Sequence, residues 1–189
     1  MKKWSTPFGN QEKTYKQLSS ENFKAIDEYN EKTLSTLLPI GWGLALLPLA
    51  VVPFSNTKGD AIPAYVLTFL TYFALFLLFK IPAVKKHTLV GLYTAFSVMF
   101  LFAIWLSVIH SPNMRATILL GGFGIMPLSF IDHPRRINLF LAFWLAVSTA
   151  LAFYFKPQYA LDDLINCLCA AVLGGYLGKM MIQVHLESF

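Results

Sequence analysis

Charged side chains are scarce in this chain: 13% of its 189 residues are Asp, Glu, Lys or Arg, where a soluble domain carries roughly a quarter. That shortage excludes an ordinary solvated surface. Cysteine is nearly absent. Cys167 and Cys169 stand two apart in an apolar run, so on a helix they point about 200° apart and cannot bridge each other. They read as small apolar fillers. Catalytic patterns are missing too: there is no HExxH, no GxSxG and no dinucleotide fingerprint. GGYLGK at Gly174–Lys179 has the outline of a phosphate-binding loop. It is one residue short between its glycines, has Met180 where Ser or Thr would hold magnesium, and lies in an apolar run. No cofactor, metal or nucleotide site is therefore expected, and the chain is read as having no enzyme active site.

Four histidines are present, His87, His110, His133 and His185. All fall at the edges of apolar runs, without the spacing of helix-borne metal or haem ligands, and read as solvated interfacial residues. A cleavable leader is also not expected, because the first apolar run starts only near Leu34 and is long enough to span.

What the chain does have is hydrophobic length. Hydrophobic residues make up 56% of it, with 17 Phe and 4 Trp. Six apolar runs, Leu34–Phe54, Pro63–Phe79, Thr88–Ile109, Ala116–Ile131, Ile137–Phe155 and Asp163–Ile182, each approach the roughly 20 residues that cross a bilayer. None alternates as a barrel strand would. The expectation is all-α: a six-helix transmembrane bundle over residues 34–182. Before it, residues 1–33 form a polar segment in which Ser20 caps a weakly amphipathic helix, lying on the membrane surface or extending the first span. After it, residues 183–189 are expected to be the start of a cytoplasmic signalling helix. The fourth run is the weakest, being short and holding Gly121, Gly122, Gly124 and Pro127.

Orientation follows from the cations. With an inside N-terminus, twelve of the 15 Lys and Arg fall on the cytoplasmic side, leaving Lys58, Arg115 and Lys156 outside. The positive-inside rule then puts both ends in the cytoplasm. The basic net charge of +5 is thus topological, and no nucleic-acid partner is expected. Gly174 and Gly178 form a GxxxG pair for close helix packing, read as intramolecular before dimeric. Pro48 and Pro127 interrupt their helices.

The best functional constellation lies on the outer rim. His110, Asn113 and Arg115 occupy one tight turn, while Asp162, Asp163 and Asn166 open the sixth run. Ionisable groups at membrane depth mark ligand or ion sites. Two structural alternatives compete: acidic residues complementing a helix N-terminus, and an Arg115–Asp pair joining two hairpins. The loops there are too short to form a ligand-binding domain, so a stimulus enters through the bundle, the lipid or a partner.

The stretches YNEKTLSTLLPI, AIPAYVLTFLTYFALFLLFK, LFAIWLSVIHSPNMRATILLG, FIDHPRRINLFLAFW and YALDDLINCLCAAVLGGYLGKMMIQVHLESF resemble the N-terminal six-helix membrane input region of bacterial GGDEF-family diguanylate cyclases. The resemblance implies a sensory input role in a bacterial cytoplasmic membrane, pairing as a homodimer, and a cytoplasmic GGDEF output domain that makes cyclic di-GMP in a longer chain. The GGDEF motif itself is absent, so no catalytic residue of that family maps onto this sequence. Two other classes compete, a small transporter component and a structural partner of a membrane complex. No internal repeat and no mid-span charge favours the transporter.

Overall fold

The computed structural model describes residues 20–51 and 61–188. The first expected outer loop with Lys58, the end of the first run at Phe54, most of the N-terminal polar segment and Phe189 lie outside the described residues. Among the described residues the fold is all helical. Six principal helices are α1 (Phe23–Val51), α2 (Ile62–Leu78), α3 (Thr88–Ile104), α4 (Thr117–Ser129), α5 (Pro134–Phe155) and α6 (Pro157–Ser188), and a single helical turn, Pro82–Lys85, precedes α3. α3 continues through a π-helical segment, Trp105–His110.

Four of these helices, α1, α3 with its π extension, α5 and α6, are long and apolar enough to cross a membrane; α2 and α4 are shorter apolar helices. Their outward faces carry large apolar side chains such as Leu44, Leu67, Leu139, Leu173 and Tyr176. Exposed surface of that kind is stable against lipid and not against water. This is a membrane protein.

The ends of the helices follow from local chemistry. Proline stands in the first turn of α2, α5 and the Pro82 turn, where its missing N–H costs nothing. Pro157 plays the same part in α6, which therefore starts six residues before Asp163. The expectation that the Asp pair opens the sixth helix is corrected here: both aspartates lie inside it, beyond its first turn. The polar helix beginning near Ser20 is no separate element either. It runs into α1, which passes unbroken through Pro39 and Pro48. Likewise α6 runs unbroken through residues 182 and 183, so neither proposed segment boundary is a structural break.

The core is aromatic and centres on α3. Phe100 stacks on Trp144 at 5.6 Å and tilts against Phe123 at 4.9 Å, while Phe96 stacks on Phe130 at 5.8 Å. α4 packs on α6 through glycine. A Cβ on Gly174 would lie 2.6 Å from the Phe123 carbonyl oxygen, and one on Gly178 would lie 2.5 Å from that of Pro127. The GxxxG pair is used within the chain, in backbone-to-backbone contact. Hydroxyls in the apolar helices are satisfied locally: Thr71, Thr94, Ser97 and Ser129 each donate to the carbonyl four residues earlier, as an apolar surrounding requires.

The start of α1 and the end of α6 meet. The Asn22 side chain donates to the Leu186 carbonyl at 3.2 Å, and the Tyr29 and His185 rings lie edge to face at 5.1 Å. We call this the proximal end of the bundle, and the end where α6 begins the distal end.

Candidate functional site

At the distal end the chain buries a charge pair. Lys156, in the one-residue link between α5 and α6, is 0% exposed, and Asp163 is 6% exposed. They share a face because seven residues make nearly two helical turns. The Lys156 Nζ lies 2.5 Å from Asp163 Oδ2. It also donates to the Ser107 carbonyl at 2.8 Å and the Met114 carbonyl at 3.0 Å. Two of its three N–H donors serve those carbonyls, and the third is left for the paired carboxylate. The other oxygen, Oδ1, accepts from the Ala116 N–H at 2.9 Å. A buried ammonium is held only where its charge is matched and its protons have acceptors. Here both conditions are met.

Each acceptor has a structural origin. Ser107 sits in the last turn of the π-helical segment, where carbonyls lack intrahelical partners, and the residue five positions on is Pro112, which has no N–H to offer. Met114 lies in the turn between α3 and α4. Ala116 is the residue before α4, so Asp163 places negative charge at that helix's N-terminus, where free N–H groups and the dipole favour it. One lysine and one aspartate thus tie together the end of α3, the start of α4 and the start of α6.

Of the six residues expected on the outer rim, three are drawn together. Arg115 pairs with Asp162 at 3.3 Å on the exposed surface, and Asp163 lies beneath it in the buried pair. His110 stacks on Trp105, with ring centroids 5.0 Å apart. Asn113 and Asn166 are exposed and stand outside the cluster. Lys156 is the residue that sequence reasoning missed. Counted as an outer loop cation, it is the most buried charge of the described residues. Beside Asp163, a cavity of about 10 Å³ is lined by Ser148, Thr149 and Cys167 among others. That is room for one water beside the charge pair.

A second polar cluster lies toward the proximal end. The Asn30 amide, 1% exposed, donates to the Ile131 carbonyl at 2.7 Å and accepts from the Ile131 N–H at 2.8 Å. This two-bond clamp holds the extended link between α4 and α5 against α1. Next to it, Asp132 accepts from the Tyr93 hydroxyl at 2.8 Å and from Arg136 at 3.4 Å. Among the described residues no group of three or more His, Cys, Asp or Glu is placed to hold a metal ion.

No family model, no curated protein and no solved structure matches the chain. The function is therefore argued from the two clusters and the helix that joins the ends.

Proposed function

We propose that the chain is a signal-input module of a bacterial cytoplasmic membrane, threaded six times through it with both ends in the cytoplasm, whose output passes along α6. One observation carries this reading. α6 is a single helix of 32 residues, about 48 Å long, against about 30 Å of hydrocarbon. It starts at the buried Lys156–Asp163 pair and ends on the first turns of α1. A rigid rod with a charge lock at one end and a contact with α1 at the other converts a distal change into a proximal displacement. The contact between the ends of α1 and α6 agrees with an even number of crossings, and the basic residues of the proximal loops support a cytoplasmic placement of that end.

In this reading the output is a cyclic di-GMP-forming GGDEF domain in a longer chain, and the module acts as a homodimer. The sequence likeness described above supports the output class. With Gly174 and Gly178 occupied by α4, a dimer uses another face, and α2 and α6 both offer apolar ones. The test is a fusion of this chain, through the end of α6, to a soluble GGDEF domain in a cyclase-deficient bacterium. Output that changes when the distal lock is cut by Lys156→Met, at equal membrane abundance, supports the reading. Output identical in wild type and variant, or terminal reporters on opposite sides of the membrane, overturns it.

A further inference from the structure

We propose that the proximal end carries a binding site for one anionic glycerophospholipid, between α1, α2 and the Pro82 turn. The site is a cavity of about 190 Å³ lined by Glu31, Leu34, Leu38, Phe76, Phe79, Lys80 and Lys85, with Ser35 and Thr88 completing its wall. That is about six waters' worth of space, enough for a headgroup phosphate and the first segment of a chain. Its composition is divided as a lipid is. Leu34, Leu38, Phe76 and Phe79 form the apolar wall, and the charged groups stand together at the loop edge.

The polar groups decide the sign of the ligand. The Ser35 hydroxyl donates to the Lys32 carbonyl and that of Thr88 to the Lys85 carbonyl, both at 2.8 Å, so the remaining donors are the two lysines. Lys85 pairs with Glu31 at 2.8 Å. Lys80 faces no carboxylate among the described residues; its ammonium sits 4.7 Å over the Phe76 ring, a placement that a phosphate can share. Two ammoniums against one carboxylate leave one net positive charge, which matches a singly charged phosphodiester. Lys86 and His87 are exposed just outside and add to the attraction. Basic pockets between membrane helices take lipid headgroups on this principle. The loop itself, with Ile81, Pro82 and Ala83 exposed, presents apolar surface at headgroup level. The inference rests on membrane embedding alone and stands apart from the signalling reading.

The experiment is native mass spectrometry of the full chain released from detergent micelles. Phosphatidylglycerol and phosphatidylcholine of matched chains are supplied in competition, with inorganic phosphate as a third arm. One phosphatidylglycerol is expected to be retained about five-fold over phosphatidylcholine, the gain from one lysine near an anionic headgroup. Lys80→Gln should bring the ratio near one, Glu31→Gln should raise it, and Lys86→Gln, outside the cavity, should leave it nearly unchanged. Equal retention of the two lipids by the wild type overturns the proposal. So does an unchanged ratio in Lys80→Gln, an equal loss in Lys86→Gln, or displacement of the lipid by equimolar phosphate. Size-exclusion profiles matching the wild type establish that each variant is folded.

Discussion

Lys156→Met removes the buried ammonium while keeping most of its side-chain length, and its effect can be worked from the partners it leaves. Asp163 keeps the Ala116 N–H and loses its counter-charge, while the Ser107 and Met114 carbonyls lose their shared donor. Breaking a buried pair from one side costs about 3–5 kcal/mol. Asp163→Asn leaves the fully buried Lys156 ammonium without its counter-charge, so a cost in the same range, about 3–5 kcal/mol, is expected even though the amide oxygen still accepts from Ala116. The double variant, with no buried charge, should cost clearly less than the sum of the two singles. Cys167 provides the assay. It is buried, one turn beyond Asp163, and lines the same small cavity. In a Cys169→Ser background, its reaction with a thiol reagent reports opening of the distal end. A cost of about 3 kcal/mol corresponds to roughly a hundred-fold faster labelling. Labelling of Lys156→Met within three-fold of wild type would refute the reasoning, as would a double variant whose effect is the sum of the two singles.

Cutting the proximal clamp should also be measurable: Asn30→Ala leaves both backbone groups of Ile131 unpartnered, an expected loss of about 2–4 kcal/mol in thermal unfolding of the detergent-solubilised protein. Arg115→Ala removes an exposed ion pair and should change the same unfolding by less than about 1 kcal/mol, which separates the surface bridge from the lock beneath it. Gly178→Val drives two methyls into the Pro127 carbonyl and should cost at least about 3 kcal/mol or prevent folding, whereas Gly121→Ala meets open space and should be neutral or stabilise by up to about 1 kcal/mol.

The apolar runs were legible because hydrophobic length is a property of consecutive residues. The third and fifth runs correspond to α3 with its π extension and to α5, with starts and ends within a few positions. α2, with 17 helical residues, matches its run shifted by one position, whereas α4, with 13, stops short of its run at both ends. The Arg115–Asp162 bridge was legible as a pairing of opposite charges on neighbouring turns. Lys156 was not, because as a residue between two runs it looks like any loop cation. The available signal was the seven-residue step to Asp163 together with Pro157, which starts the helix early enough to put both on one face. The Asn30 clamp had no comparable signal. Its partner is the backbone of a residue 101 positions away, and every residue has a backbone. Side-chain patterns encode which groups are polar; they do not encode which peptide unit a fold brings opposite them.

α4 shows what the two clusters do together. On the six-span reading proposed above, its 13 residues, about 20 Å, fall well short of the hydrocarbon thickness and would leave peptide groups beyond both ends where water is limited. Non-helical backbone persists at such depth only if protein groups satisfy it. At the distal junction Asp163 takes the Ala116 N–H and Lys156 takes the Met114 carbonyl; at the proximal junction Asn30 takes both groups of Ile131. The middle of α4 is fixed on α6 by the glycine contacts, where separation would open an interface already at backbone distance. α4 and α6 therefore move as one body. The joints that can slip are the ones made by few polar groups: the Asn30 clamp and the Asn22–Leu186 bond, both with α1. If α6 transmits a displacement as proposed, it should appear first as a shift of the α4–α6 pair against α1, and Asn30→Ala, which cuts the two bonds to Ile131, should ease that shift.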